Sequence, residues 1–172
     1  SSGGITITNV SSTNNAYGIW FVSGSGNRMY DSALSSNSAY DIRQDASATN
    51  TIDNVTFNRT SSTVTSVGPI LVKFRARASV YRSTDSNTKI SGTTVTATDA
   101  SAAATSLGAT DGSGLTAYAR LPAYTITSGS SAVTNGGYSS YTVTAGAVTG
   151  YSASSATITL SSRDQDISIA MV

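Results

Sequence analysis

The feature that most constrains this 172-residue chain is a repeat of 22 or 23 residues near its amino end. Residues 7–10, 29–32 and 52–55 align at offsets of 22 and 23, and residues 17–20 and 40–43 align at an offset of 23. Two independent blocks therefore share one period. A period this short leaves each repeat room for only a few strands and turns, so the pattern predicts stacked units in which each repeat contacts its neighbours.

Within these repeats, apolar and polar residues alternate, as they do in a strand with one buried face. Asn9, Asp31 and Asn54 follow the apolar residues, where Asx side chains favour a bend and can bond to one another from one coil to the next. The residues expected to point into the shared core are Ile5, Ile7, Ile19, Met29, Ile42, Ile52 and Val55. The pattern predicts a parallel β-helix, with a meander of short antiparallel strands as the alternative.

Residues 27–31 and 50–54, with Asn at the start and Asx at the end, carry a resemblance to a known family. They resemble coils of the right-handed parallel β-helix in the pectate-lyase-like superfamily. The resemblance implies that residues 1–60 are the last coils of such a solenoid. Its first coil would expose apolar side chains and strand edges, so we expect either further coils before Ser1 or another chain stacked there.

A second kind of pattern begins after a polar segment, residues 61–69, which lacks the repeat and ends in a Gly-Pro break. We interpret this segment as a linker. Residues 70–172 then show longer strands, beginning with one that places Lys73, Arg75 and Arg77 on one face. Further strands are predicted at residues 92–97, 115–120, 141–145, 156–160 and 166–172. These features predict an antiparallel β-sandwich.

The order of short motifs in this second half resembles the carboxypeptidase regulatory-like, transthyretin-like domain. The matching segments are residues 90–95, 110–114, 121–123, 141–143 and 150–151. The resemblance implies a non-catalytic accessory module of extracellular proteins. The fold class expected for the whole chain is all-β, a short parallel β-helix (solenoid) segment plus an antiparallel Ig/transthyretin-like β-sandwich.

The composition removes several classes of chemistry. The chain has no Cys, His or Glu, which excludes a Ser-His-Asp triad, a thiol nucleophile and a His- or Cys-based metal site. No cofactor is expected, and calcium is the one ion left open. A net charge of +1 argues against nucleic acid as a partner, and no apolar run is long enough to predict a membrane span.

Few side chains remain as candidates for chemistry. Asp111 precedes Gly112, which suits a turn better than a calcium cage. On the predicted β-helix, similarity to polysaccharide lyases draws attention to the following residues: Asp31, Asp41, Asp45, Asp53 and Arg43. Paired carboxylates there could also hydrolyse a glycosidic bond, but their spacing favours bends and solvation.

Two further features concern glycans. Tyr17, Trp20 and Tyr40 could stack on sugar rings, although packing is the more frequent use of such residues. Three sequons, at Asn9, Asn54 and Asn58, would permit N-glycosylation of an exported protein. Only 11% of the residues are charged, and this Ser/Thr-rich, Lys/Glu-poor balance predicts a secreted or cell-surface protein.

Together these features predict a non-catalytic structural subunit or segment of an extracellular assembly, such as a fibre, a sheath, a surface layer or an adhesin stalk. The expected partners are other copies of the chain or upstream coils, stacked strand on strand. The alternatives are the C-terminal part of a β-helical polysaccharide lyase or hydrolase, and a carbohydrate-binding module. Because the chain begins with Ser1 and not Met, we also expect it to derive from a longer protein.

Overall fold

A computed structural model describes residues 4–128, 133–134 and 140–172 of the chain. The chain is all-β, with both parallel and antiparallel sheets. Within the described residues, the helical structure is limited to one short 3-10 turn at Arg59–Ser61. None of that described part forms a helix with the length and hydropathy that crossing a bilayer requires.

The strands of the described residues are short in the first half of the chain and longer in the second. Their bounds are β1 Thr6–Thr8, β2 Ser11–Thr13, β3 Tyr17–Phe21, β4 Arg28–Tyr30, β5 Ala33–Ser35, β6 Tyr40–Gln44, β7 Asn50–Asp53, β8 Ser62–Val64, β9 Ile70–Arg82, β10 Asp85–Lys89, β11 Thr94–Asp99, β12 Ala104–Ala109, β13 Ala119–Ile126, β14 Val133–Thr134, β15 Ser140–Ala145, β16 Ser154–Thr159 and β17 Gln165–Met171.

These strands belong to two compact units. The first consists of Ser1–Phe74 and Pro122–Gly136, and the second of Arg75–Leu121 and Gly137–Val172. The expected boundary between residues 60 and 70 therefore lies inside the first unit. The expected linker, residues 61–69, contains β8, which pairs with β6 and so extends the parallel strands of that unit.

In the first unit, strands that are 22 or 23 residues apart in the sequence are parallel partners. Ile7 is opposite Met29, and Met29 is opposite Ile52, as the repeat predicts. Val72 of β9 continues the same row. The repeat period therefore equals the number of residues from one strand to its hydrogen-bonded partner strand. Equivalent apolar residues of successive repeats consequently lie in one row.

Two further parallel sheets complete the same turns of chain. β2 pairs with β5, while β3, β6 and β8 form a sheet in which Ile19 is opposite Ile42. We call residues 4–22, with β1, β2 and β3, the amino-terminal rung. We call residues 27–45, with β4, β5 and β6, the second rung.

The bends predicted at the Asx residues are confirmed by the backbone. Asn9, Asp31 and Asn54 have φ values of 55°, 46° and 56°, a left-handed conformation that Asn and Asp tolerate better than most residues. Asn54 also donates from Nδ2 to Oδ1 of Asp31 at 2.7 Å, one bend below the other. The side chains at this corner thus connect successive rungs.

A second column of Asn side chains connects the rungs at the start of the first sheet. Oδ1 of Asn27 accepts from the backbone N–H of Ile5 at 2.9 Å, and Oδ1 of Asn50 accepts from the N–H of Asn27 at 2.9 Å. Nδ2 of Asn50 donates to Oε1 of Gln44 at 3.0 Å. Both Asn50 and Gln44 are fully buried. These amides satisfy polar groups that would otherwise be buried without a partner.

The second unit contains a four-stranded antiparallel sheet in the order β12, β11, β15, β16. Here β9 pairs antiparallel with β10 and parallel with β17. The sequence interpretation expected only antiparallel pairing in this half, so the parallel partner of β17 is a correction. It arises because two distant segments, residues 76–82 and 165–171, meet side by side.

Strand β9 confirms the alternation expected from its sequence. Val72, Phe74 and Ala76 are buried, whereas Lys73, Arg75 and Arg77 on the other face are partly exposed. Elsewhere the predicted strands needed correction. β10 and β12 were not predicted, and β13 continues through Pro122 to Ile126, where the sequence predicted a strand end.

Substituting Asn50 with Ala should destabilise the first unit by about 2–4 kcal/mol, because it leaves the N–H of Asn27 and Oε1 of Gln44 without their partner. Urea unfolding followed by fluorescence of the single tryptophan, Trp20, measures this loss. The matched control is Asn15→Ala. Asn15 is exposed, so its substitution should cost less than about 0.5 kcal/mol. Equal losses in the two variants would contradict the role of the buried amides.

Candidate functional site

The amino-terminal rung is open on one side. Its three strands pair with β4, β5 and β6 of the second rung, and among the described residues no strand pairs with their other edges. Unpaired backbone N–H and C=O groups along a strand edge are a template for pairing with another strand. The open edge is therefore the first element of the candidate site.

A largely apolar cavity of about 210 Å³ opens at this rung. The aliphatic side chains in its lining include Ile5, Ile7, Ile19 and Val22, and Phe21 and Trp20 add aromatic surface. Cavities with such a lining take up apolar groups, since transfer of these groups out of water is favourable.

The residues predicted to form the shared core differ in burial from one rung to the next. Met29, Ile42, Ile52 and Val55 are at most 1% exposed. Ile7 and Ile19, which belong to the same inward rows, are only half-buried, because among residues 4–128, 133–134 and 140–172 no strand pairs with the other edges of β1 and β3. Ile5 is 66% exposed, so it is not part of the buried core in this chain.

At three turns, the amino-terminal rung has an exposed aliphatic side chain where the second rung has a polar one. Ile5, Val10 and Val22 are 66%, 37% and 59% exposed. The residues one rung below them are Asn27, Ser32 and Asp45. The sequence interpretation missed Val10 and Val22 as members of this surface, although comparing equivalent positions of the two repeats would have found them.

The aromatic residues predicted as a sugar-binding strip lie together beside this rung, on the sheet of β3, β6 and β8. The ring of Tyr17 is 5.2 Å from that of Trp20 and 6.3 Å from that of Tyr40, with which it is stacked. Trp20 is 44% exposed. The geometry therefore brings all three predicted residues to one surface.

The same surface holds a network of charged groups. The Arg43 guanidinium lies 4.6 Å from the centre of the Trp20 ring and forms an ion pair with Asp45 at 3.0 Å. The indole Nε1 of Trp20 also donates to Oδ2 of Asp45 at 2.9 Å, and the Thr65 hydroxyl donates to Oδ1. Hydrogen bonds from Arg43, Thr65 and Trp20 lower the pKa of Asp45 to about 2.

Asp31 and Asp53 lie on adjacent turns, where the N–H of Asp31 donates to the carbonyl of Asp53 at 3.1 Å, and Asp41 and Asp111 have other surroundings. Asp41 is buried, with its carboxylate accepting from Nδ2 of Asn37 and from the N–H of Asn58. Oδ1 of Asp111 accepts from the N–H groups of Ser113 and Leu115, which is a turn geometry. In the part of the chain that the structure describes, no three carboxylates come together to hold a metal ion.

The three sequons differ in access. Asn9 and Asn58 are exposed, and Oδ1 of Asn58 accepts from Thr60 at the start of the 3-10 turn. Asn54 is fully buried and donates to Asp31, so its amide is inaccessible once the chain has folded. Of the three predicted glycosylation sites, only Asn9 and Asn58 are therefore accessible in the folded chain.

The second unit carries a smaller network of similar composition. The Arg77 guanidinium lies 4.7 Å from the centre of the Tyr118 ring and pairs with Asp166 at 2.8 Å. The Tyr118 hydroxyl donates to the same carboxylate at 3.1 Å. Tyr118 is 39% exposed, which makes it comparable to Trp20 as an exposed aromatic residue beside an ion pair.

The Asp45 carboxyl should titrate near pH 2, well below the ordinary value of 3.8, because its hydrogen bonds favour the charged form. Its contribution to stability is then complete above about pH 4 and lost as the pH falls through about 2. Carboxyl-carbon NMR measures the midpoint, and Trp20 fluorescence should change with it. In Arg43→Gln the midpoint should rise towards 3.8. A midpoint near 3.8 in the unmodified chain would contradict this geometry.

Comparisons with known proteins identify no family. No family model matches the chain, and none of the curated proteins matches it. Among solved structures, the chain is similar to one described as "The Bacillus anthracis TIE protein", at 21% identity and a TM-score of 0.41. The match covers 62% of this chain, which spans only 18% of that one. Identity and structural similarity at this level do not establish a shared fold or function.

Proposed function

We propose that this chain is a non-catalytic structural segment of a secreted or cell-surface assembly, joined to its neighbour by strands that stack on the amino-terminal rung. The observation that carries the proposal is the amino-terminal rung, which in the described part of the chain has three unpaired strand edges beside an apolar cavity of about 210 Å³. A neighbouring polypeptide that covers this rung would bond to the edges and bury the cavity lining in the same step.

The proposal includes the finer architecture. The first unit would be a short parallel β-helix, and the second a transthyretin-like β-sandwich acting as an accessory module. Support for the β-helix comes from the parallel register of Ile7, Met29 and Ile52 and from the bends at Asn9, Asp31 and Asn54. Support for the sandwich comes from the four-stranded antiparallel sheet of β11, β12, β15 and β16.

The charge distribution also favours this role. Residues 1–27 contain no charged side chain, and the first one is Arg28. Natural strand edges are usually protected against pairing by charged residues, by proline or by bulges. Strands β1, β2 and β3 contain neither charged residues nor proline. An unprotected edge next to exposed aliphatic groups is typical of a surface that another chain covers.

Substituting Ile5 with Asp should weaken self-association at least tenfold, since it places a charge on the surface that would be buried. Sedimentation velocity over a range of concentrations measures the association, and electron microscopy shows its products. The matched control is Val67→Asp, because Val67 belongs to the same unit and is 85% exposed outside the rung. Circular dichroism checks that both variants fold. A chain that stays monomeric at all concentrations, or equal effects of the two substitutions, would contradict the proposal.

The aromatic surface supports a second role, the binding of a glycan. Tyr17, Trp20 and Tyr40 present neighbouring rings, and Arg43 and Asp45 supply polar groups at the same place. Sugar rings stack their C–H faces on aromatic rings, while their hydroxyls bond to adjacent polar groups. An assembly segment with such a surface would attach to a polysaccharide as well as to its neighbour.

Substituting Trp20 with Ala should reduce glycan binding about tenfold or more, which corresponds to about 1.4 kcal/mol. A glycan array identifies the ligand, and calorimetry measures its affinity. Tyr118→Ala is the control, because Tyr118 has the same kind of arginine and aspartate neighbours on the second unit. Absence of binding in the unmodified chain, or equal losses in the two variants, would remove this role.

A further inference from the structure

We infer that the polypeptide covering the amino-terminal rung is a second copy of this chain, related by a twofold axis, with β1 of one copy antiparallel to β1 of the other. This inference rests on the proposed function and specifies its partner. It follows from three backbone N–H groups of the amino-terminal rung that donate to side chains of the second rung, from the backbone groups left free on β1, and from the sequence of β1.

Three side-chain bonds between the first two rungs follow one pattern. At three positions a side-chain oxygen of the second rung accepts from a backbone N–H of the rung above it. The donor and acceptor pairs are Ile5 and Asn27, Val10 and Ser32, and Asn15 and Asn37. A rung of the same kind, placed above the amino-terminal rung, would need oxygen acceptors there in turn.

The amino-terminal rung lacks two of those three acceptors, because it has Ile5 and Val10 at the first two positions. A parallel rung stacked on it would bury two backbone N–H groups without these partners, at about 1–3 kcal/mol each. The exposed aliphatic groups suit an apolar surface instead. A second amino-terminal rung offers a free strand edge and does not need the missing acceptors, because its own N–H groups at Ile5 and Val10 already donate to Asn27 and Ser32.

The backbone of β1 has free groups in the right places. The carbonyl of Ile5 accepts from Arg28, and the N–H of Asn9 donates to Tyr30. Because successive residues of a parallel strand bond to opposite sides, the N–H and C=O groups of Thr6 and Thr8 point away from β4. An α-helix uses its own backbone groups internally, so a strand is the element that can bond to this edge.

The sequence of β1, Thr6-Ile7-Thr8, reads the same in both directions. Antiparallel pairing about Ile7 therefore places Thr6 opposite Thr8 of the second copy, twice, with the free N–H and C=O groups facing each other. Threonine pairs on neighbouring strands are favourable. Because residues 1–27 are uncharged, two such surfaces meet without electrostatic repulsion. An isologous contact of this kind closes at the dimer and does not continue into a fibre by itself.

Disulfide trapping tests the pairing, since the chain has no cysteine of its own. Thr6 and Thr8 are exposed, so Thr6→Cys and Thr8→Cys should both leave the fold intact. Opposite residues in this pairing have Cα atoms about 5.5 Å apart, within the range of a disulfide. When the full-length T6C and T8C chains are mixed and oxidised, a covalent dimer of one T6C and one T8C chain should form. Either variant alone should give little, because its cysteines lie two residues out of register.

Four other outcomes would overturn the inference. A disulfide-linked dimer of T6C alone would show parallel, in-register pairing. Association through the rung, seen as sensitivity to Ile5→Asp, without any cross-linked T6C and T8C pair would reject this geometry but retain the proposed function. Sedimentation as a monomer at every concentration would overturn both. Larger species that grow without limit in the unmodified chain would reject the closed dimer.

Discussion

The structure depends first on backbone hydrogen bonding between parallel strands that are 22 or 23 residues apart in the chain. Strands β1 to β8 are only three to five residues long, so none of them has enough local structure to be stable alone. Stability comes from bonding each strand to the next turn of chain. The same constraint means that the outermost turn, formed by β1, β2 and β3, has bonding groups without a neighbour among the described residues.

Polar side chains make this arrangement specific. Asn27, Asn50 and Gln44 bond to backbone or amide groups of adjacent turns, and a one-residue slip of the register would separate all of them. In the amino-terminal rung, Ile5 and Val10 stand where the second rung has Asn27 and Ser32. This rung therefore suits a different kind of neighbour. The second rung has side-chain oxygens that accept hydrogen bonds at these two positions, whereas the amino-terminal rung has apolar side chains. This difference is one basis of the proposed contact between copies.

The exposed networks around Asp45 and Asp166 have similar residues but belong to different units. Around Asp45, the carboxylate receives hydrogen bonds from Arg43, Thr65 and Trp20, and its pKa is held at about 2. Around Asp166, Arg77 and Tyr118 have the same roles, and the pKa of the carboxyl is again lowered. Such ion pairs on an exposed surface contribute little to stability. Both networks place an aromatic ring beside an ion pair, and the ring near Asp45 belongs to a cluster of three, Tyr17, Trp20 and Tyr40.

Sequence alone was sufficient for the parallel register of β1, β4 and β7, for that of β3 and β6, and for the alternation of β9, because these depend on local patterns of period 22 or 23 and period 2. It did not predict β10, β12 or the parallel partner of β17, since Ser/Thr-rich segments have weak patterns and partner choice depends on distant chain. Only the tertiary structure decided that Ile52 is buried while Ile5 is exposed and that Asn54 is inaccessible. The physical reason is that burial depends on a residue's neighbours in space, and within the part of the chain that the structure describes Ile5 has a rung on one side only.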